Sequence, residues 1–216
     1  MENSNKIKQP VKLYGVEVVY LLLVGIVFTF FGWFGENMVK LVSDGFIDSR
    51  FHLLPFIGAY ALITFAFQLA FRDPDDICFF SHYLFKKKTL ANKIWSNIIT
   101  FFVIALFVFL GELALGNILE LAFGVKLWDY TGGLCNVTQY TCLESTFGYA
   151  LGAYILFKFI FHPLINFFRK HLSTKTAFII VITLGSLILL DELRLYGYMI
   201  FGNEAPNYWK LIIFKK

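Results

Sequence analysis

Six carboxylates and a set of aromatic side chains hold most of the chemical potential of this sequence. Glu112 and Glu120 are eight residues apart, so at 3.6 residues per turn they fall within about 80° of one helix face. Downstream come Trp128-Asp129-Tyr130 and then Asn136. Upstream, Gly32-Trp33 precedes Glu36, and Arg50 follows in the same polar stretch. Asp191 lies late in the last apolar segment, beside Glu192 and three residues before Arg194. Carboxylates at the edge of apolar surface, with aromatic rings at hand, can bind a cation or an amine through charge and ring quadrupole. With an arginine beside them they can also hold a lipid headgroup. The alternative is structural: the charges cap helix ends and tie loops together through ion pairs, with Arg50, Lys126 and Arg194 as counter-ions.

Lys158 sits roughly mid-way along an apolar segment. An ionisable group at membrane depth is a functional candidate by default. It can also snorkel toward headgroups or neutralise a carboxylate, with Glu17 and Gln68 as candidate partners. His162-Pro163 marks a kink, because proline frees a carbonyl one turn earlier. The remaining histidines, His52, His82 and His171, are scattered near helix ends and do not converge with it. The three cysteines, Cys78, Cys135 and Cys142, form no motif with metal-ligand spacing. Cys135 and Cys142 share one loop and are open to disulfide formation in an oxidising compartment, while Cys78 is expected to be a free thiol. Asn136-Val137-Thr138 reads as a glycosylation sequon, relevant only in a eukaryotic secretory setting. No GxxxxGK[ST] phosphate loop is present, and no cofactor is called for.

What positions these residues must be a membrane bundle. The 216 residues are 58% hydrophobic and only 16% charged, with a mean hydropathy of +0.66. A water-soluble fold of this size carries about a quarter charged residues and could not hide so much apolar surface. A bilayer core of about 30 Å needs roughly 20 apolar residues in a helix. Five stretches meet this, at about 14–34, 52–71, 94–115, 147–168 and 176–198. The expected fold is therefore all-α, a single polytopic transmembrane helical bundle with two structured extracytoplasmic loops. The first stretch is too long for a signal-peptide core and lacks a cleavage site.

Lysine and arginine bias sets the expected orientation. Lys6, Lys8 and Lys12, the cluster from Arg72 to Lys93, and Arg169, Lys170 and Lys175 mark one side as cytoplasmic, together with the N-terminus. The net charge of +4 is loop bias of this kind, and nothing points to nucleic acid. The inner loop 72–93 places Ile77-Cys78-Phe79-Phe80 and Tyr83-Leu84-Phe85 before three lysines and reads as a short amphipathic helix on the anionic leaflet or a dock for a cytoplasmic partner. Residues 209–214 are apolar but too short to span, and are expected outside or dipping into the interface.

Several of these motifs carry a resemblance. Gly32-Trp33 with Glu36, then Arg50-Phe51, Pro55 and Gly58, then Glu112, Glu120 and Trp128-Asp129-Tyr130, followed by Asn136 and Cys142-Leu143, resemble the bacterial family of CmpB-like ABC-transporter permeases. The match runs from Gly32 to about Pro163. Asp48-Ser49 stand where that family favours asparagine, His52 where it has glycine, and Gln139 where glycine is common. The resemblance implies a transport role.

The leading expectation is a permease-type subunit that binds a small solute or cation at an outer-facing acidic and aromatic pocket built from Trp33, Glu36, Arg50, Glu112, Glu120, Trp128, Asp129, Tyr130, Asn136, Lys158 and Asp191. Its partners would be the lipid bilayer and a separate cytoplasmic ATPase or other membrane subunit, and five helices are few for a complete pathway, so an oligomer is expected. A second reading is an enzyme acting on a lipid or polyprenyl headgroup, with Glu36, Glu112, Glu120 and Asp129 as acid-base groups and Arg50 as phosphate clamp. Against it, no serine or cysteine has an adjacent base. A third is an accessory or sensory protein whose outer loops bind a partner.

Overall fold

The computed structural model describes residues 11–79, 82–133, 135–202 and 205–214. The short ladder β1 (Lys12–Leu13) with β2 (Val16–Glu17) turns at Tyr14 and Gly15, both with positive φ. It leads straight into α1 (Val18–Asp44), a helix of 27 residues that is predominantly apolar up to Phe34 and turns polar from Glu36 onward. Gly45 ends α1 in the left-handed conformation, its N–H bonded to the carbonyl of Leu41. β3 (Phe46–Asp48) follows, then an irregular stretch and α2 (Ala59–Ala66), whose last turn widens into a π-helix over Phe67–Phe71.

The next connection carries β4 (Cys78–Phe79) and β5 (His82–Tyr83). α3 (Leu90–Phe123) is 34 residues long, capped at its start by Thr89 and at its end by left-handed Gly124. β6 (Asn136–Thr138) and β7 (Thr141–Cys142) form a small ladder before α4 (Leu143–Ile155). α4 passes through a π-helical segment at Leu156–Phe161 into α5 (His162–His171), so residues 143–171 make one rod. α6 (Thr174–Gly202) and β8 (Lys210–Ile212) complete the chain.

α1 is the central helix, packing on α2, α5 and α6, while α3 pairs with α4. Leu21, Val24 and Phe28 of α1 are buried with Phe67 and Phe71 of the first π-segment and Phe157 and Phe161 of the second. The rings of Phe67 and Phe157 stack with centroids 4.3 Å apart. Phe102, Leu106 and Leu110 of α3 and Ile179, Leu189 and Leu193 of α6 are exposed, as suits helices that face lipid. Among the described residues, four helices are long and apolar enough to cross a membrane: 18–44, 90–123, 143–171 and 174–202. The protein is an all-α, multi-pass membrane bundle.

Two ends of the bundle are distinct. At one, Gln68 donates to the carbonyl of Leu13, Tyr20 to that of Leu172, and the Arg72 guanidinium lies 3.7 Å from the Tyr14 ring centroid. At the other, β3 pairs antiparallel with β8, and Phe51 and Trp128 pack on Leu195 and Met199. The connections after α1, α3 and α6 therefore share one end.

Two expectations change. The stretch 52–71 is helical only from Ala59, and the apolar helix Ala59–Phe71 is about 20 Å long at the helical rise. Residues 52–58 stay irregular because carboxylates of α6 satisfy their amides: Asp191 accepts from Leu53 and Leu54, and Glu192 from Gly58. Non-helical backbone is tolerated at such depth only where protein groups complete its hydrogen bonds. The inner loop holds no amphipathic helix among its described residues. Pro74 interrupts it, Ser96 Oγ donates to the Pro74 carbonyl and accepts from Ile77 N–H, and Ile77 and Cys78 are fully buried. Within the tail, residues 210–212 form strand β8 against β3.

Candidate functional site

Glu36 lies eight residues before the end of α1 and receives three donors from one segment of chain. Arg50 approaches with Nε at 2.8 Å and Nη2 at 2.6 Å, and Tyr60 donates its hydroxyl at 3.1 Å. Burial works against the Arg50 charge, but Glu36 and Asp48 outweigh it and raise its pKa. Asp48 is itself buried, accepting from the Arg50 amide and from Asn207 Nδ2. Trp33 donates its indole N–H to the Ser49 carbonyl and meets Trp209 edge to face. Asn37 accepts from the Asp48 amide. The tail behind α6 thus holds the loop that delivers Arg50.

Glu112 occupies the facing wall. Its carboxylate accepts from Tyr130 at 3.3 Å, from Thr141 at 3.2 Å and from Ser145 at 3.2 Å. No lysine, arginine or histidine pairs with it among the described residues. Tyr149 of α4 is within electrostatic reach of Glu36, Arg50, Tyr130 and Glu112 together, and Glu112 of Glu36. The helix pairs α1/α2 and α3/α4 therefore meet around four groups, with the positive charge of Arg50 committed to one carboxylate and hydroxyls alone surrounding the other. Burial and the Glu112 charge push the Tyr130 hydroxyl well above the ordinary tyrosine range, so it remains a donor.

Glu120 lies two turns further along α3, exposed, accepting from Gln139 at 3.1 Å and from Tyr140. The Tyr140 ring fits against Gly116, where a β-carbon would fall 2.3 Å away. Burial, with Glu120 second, pushes its hydroxyl up to about 12. Trp128 donates to the Tyr140 carbonyl, and Lys126 bonds Asp129 at 3.2 Å and Gln139 at 3.0 Å. Asp129 also accepts from the hydroxyl and amide of Thr131, and these bonds, with Lys126, hold its carboxyl down at about 2. Asn136 is exposed and donates to the carbonyls of Tyr130 and Thr131. This second cluster fixes the loop on which Tyr130 rides.

Of the residues singled out from sequence, Glu36, Arg50, Glu112 and Tyr130 converge, Trp33 bonds the Ser49 carbonyl beside Arg50, and Glu120, Trp128, Asp129 and Asn136 form the adjoining loop cluster. Asp191 stands apart at the same end, bonded to Arg194 and to the backbone of residues 53 and 54. Lys158 is not among them. It bonds Asn97 and Tyr154 and lies 3.5 Å from Asp75, which ties it to the opposite end. The partners imagined for it are engaged elsewhere: Gln68 with Leu13 and Glu17 with Thr174. Cys135 and Cys142 are both free thiols. Cys142 Sγ caps α4 by accepting from the Ser145 amide, which turns it inward while Cys135 stays exposed. Cys78 is a free thiol, as expected.

Tyr60, Tyr149, Thr141 and Ser145 were not foreseen. Tyr149 and Ser145 are four apart and share a face of α4, a spacing that was readable. Tyr60 follows Gly58 in a stretch read as plain helix.

The family model described as Putative ABC-transporter type IV matches residues 23–194. The chain belongs to this family. The match takes in both walls of the site and extends past the Gly32–Pro163 stretch that carried the resemblance. Nothing among the curated proteins or the solved structures matches the chain.

Proposed function

We propose that the protein is the membrane-embedded subunit of a transporter of the ABC type, and that Glu112 is the anchor of a site for a small organic cation or amine. The observation that carries this is the contrast between the two carboxylates. Glu36 is neutralised by Arg50, whereas Glu112 is ringed by the hydroxyls of Tyr130, Thr141 and Ser145 with Tyr149 close by. A carboxylate at membrane depth without a fixed cation favours a mobile one, and tyrosine rings add attraction for a desolvated ammonium. The Lys and Arg distribution supports an orientation with this end outside the cell and the N-terminus in the cytoplasm. The chain carries no nucleotide-binding loop, so a separate ATPase would drive the cycle. The membrane-enzyme reading gains less: Arg50, its phosphate clamp, is already held by Glu36.

The test uses the purified chain in lipid nanodiscs with tetramethylammonium, choline and spermidine as probes, read by isothermal titration calorimetry. Binding of at least one probe in the parent, lost roughly tenfold or more in Glu112→Gln but kept in Glu120→Gln, supports the site. Equal affinity in parent and Glu112→Gln sinks it.

A further inference from the structure

His52 opens the irregular stretch that replaces the first half of the expected second span. It is 5% exposed, and its Nδ1 has no hydrogen-bond partner. Opposite it, α6 presents two carboxylates. Nδ1 lies 3.6 Å from Asp191 Oδ2 and 4.0 Å from Glu192 Oε1, both beyond hydrogen-bonding length. A buried nitrogen aimed at two carboxylates, and reaching neither, is costly as it stands.

The charges around it decide what is missing. Asp191 and Glu192 contribute two negative charges, and Arg194, bonded to Asp191 at 2.8 Å, contributes one positive. The remaining neighbours are committed. Arg50 is drawn to Glu36, and Asp48 is bonded by Asn207. Tyr198 and Tyr208 present their rings to the Arg194 guanidinium, and Tyr196 faces Glu192. One negative charge is left over in a place largely closed to water. A single proton on His52 meets both needs, satisfying the nitrogen and the charge.

We propose that His52, Asp191 and Glu192 form a proton-binding site that fastens residues 52–58 to α6. A proton from water forms an N–H bond at Nδ1, and the imidazolium then bridges the two carboxylates. Loss of that proton leaves the amides of Leu53, Leu54 and Gly58 as the segment's hydrogen bonds to α6 among the described residues, with the Ile57 amide still bonded to the Thr29 carbonyl of α1. The segment carries Arg50 just before it and Tyr60 just after it, and both grip Glu36. The proton therefore sets how firmly one wall of the neighbouring cluster is held. This site stands whether or not Glu112 binds a cation.

The experiment is a pH titration of the full chain, labelled with [15N]histidine, in nanodiscs. The His52 signal is assigned by its absence in His52→Gln. It is expected to show the charged imidazolium on the acid side, with a midpoint that moves at least half a pH unit toward acid in Glu192→Gln, roughly a threefold loss of proton affinity. Glu192→Gln is chosen because Asp191 variants remove two backbone anchors. In parallel, hydrogen exchange of the peptide spanning 52–58, corrected for intrinsic rates, should slow with acid in the parent and not in His52→Gln. A His52 ring neutral at every pH down to 5, or a midpoint unchanged in Glu192→Gln, overturns the proposal. Protection that follows sodium concentration at fixed pH overturns it too, because the site would then take a metal cation.

Discussion

The ring of Tyr60 rests against Gly32, so closely that a β-carbon there would fall 2.2 Å from it, and its hydroxyl reaches Glu36 one turn further along the same helix. Tyr140, Gly116 and Glu120 repeat the arrangement on α3. In each case a glycine notch four residues before a glutamate seats a tyrosine from another element. Gly32→Ala should therefore displace Tyr60, remove its bond to Glu36 and cost about 1–3 kcal/mol through overpacking. Thermal unfolding in detergent checks this, and Gly32→Ala combined with Tyr60→Ala should lose less than the sum of the two single losses.

Removing one member of a poorly exposed ion pair strands the other. Arg50→Ala and Glu36→Gln should each destabilise by on the order of 2–5 kcal/mol, with the double variant losing less than the sum of the two. Chemical denaturation of the four proteins closes this cycle. Strict additivity would mean the pair contributes nothing of its own.

Asp129 gives a pH prediction of definite sign. Its carboxyl is held at about 2, below the usual 3.8, by Thr131 and Lys126. A depressed carboxylate stabilises the folded loop above pH 4 and loses that contribution as pH falls toward 2. The 13C carboxyl signal of Asp129 should accordingly titrate near pH 2, and Thr131→Ala should return it toward the ordinary range. A signal already titrating near 4 in the parent contradicts the hydrogen bonds described.

Gly45 holds the tail in place. Its φ is +77°, its carbonyl accepts from the amides of Ile213 and Phe214, and a β-carbon would lie 2.2 Å from the Phe214 carbonyl oxygen. Gly45→Ala should cost about 1–2 kcal/mol for the left-handed backbone alone and should also detach β8. Limited proteolysis would then cut the C-terminal segment sooner than in the parent.

How much of this was readable depended on where each group finds its partner. α1, α3 and α6 follow from long apolar runs, because local hydrogen bonds complete a helix. Lys126 with Asp129 lies within one turn of chain and is likewise legible. The start of α2 was not, since the carboxylates satisfying Leu53, Leu54 and Gly58 come from more than 130 residues away. The inner loop failed for the same reason: Ile77 is apolar because Ser96 and the core receive it, not because it meets lipid. Lys158 looked central by counting along the helix, yet a long flexible stem let it travel to Asp75 and Asn97. The convergence of Glu36 with Glu112 could be guessed only from both lying near outer helix ends.

Both returning helices contain a wide turn, at Phe67–Phe71 and Leu156–Phe161, and the two turns stack on each other through Phe67 and Phe157. A π-turn accommodates one residue more than an α-turn, which amounts to a phase shift of about 100° between the halves of the helix on either side. The rotational setting of Tyr60 on one rod, and of Ser145 and Tyr149 on the other, is thus offset from what an unbroken α-helix anchored at the opposite end would give. Deleting a single residue within either turn would straighten the ladder and swing those side chains away from Glu36 and Glu112, although no residue of the cluster itself had changed.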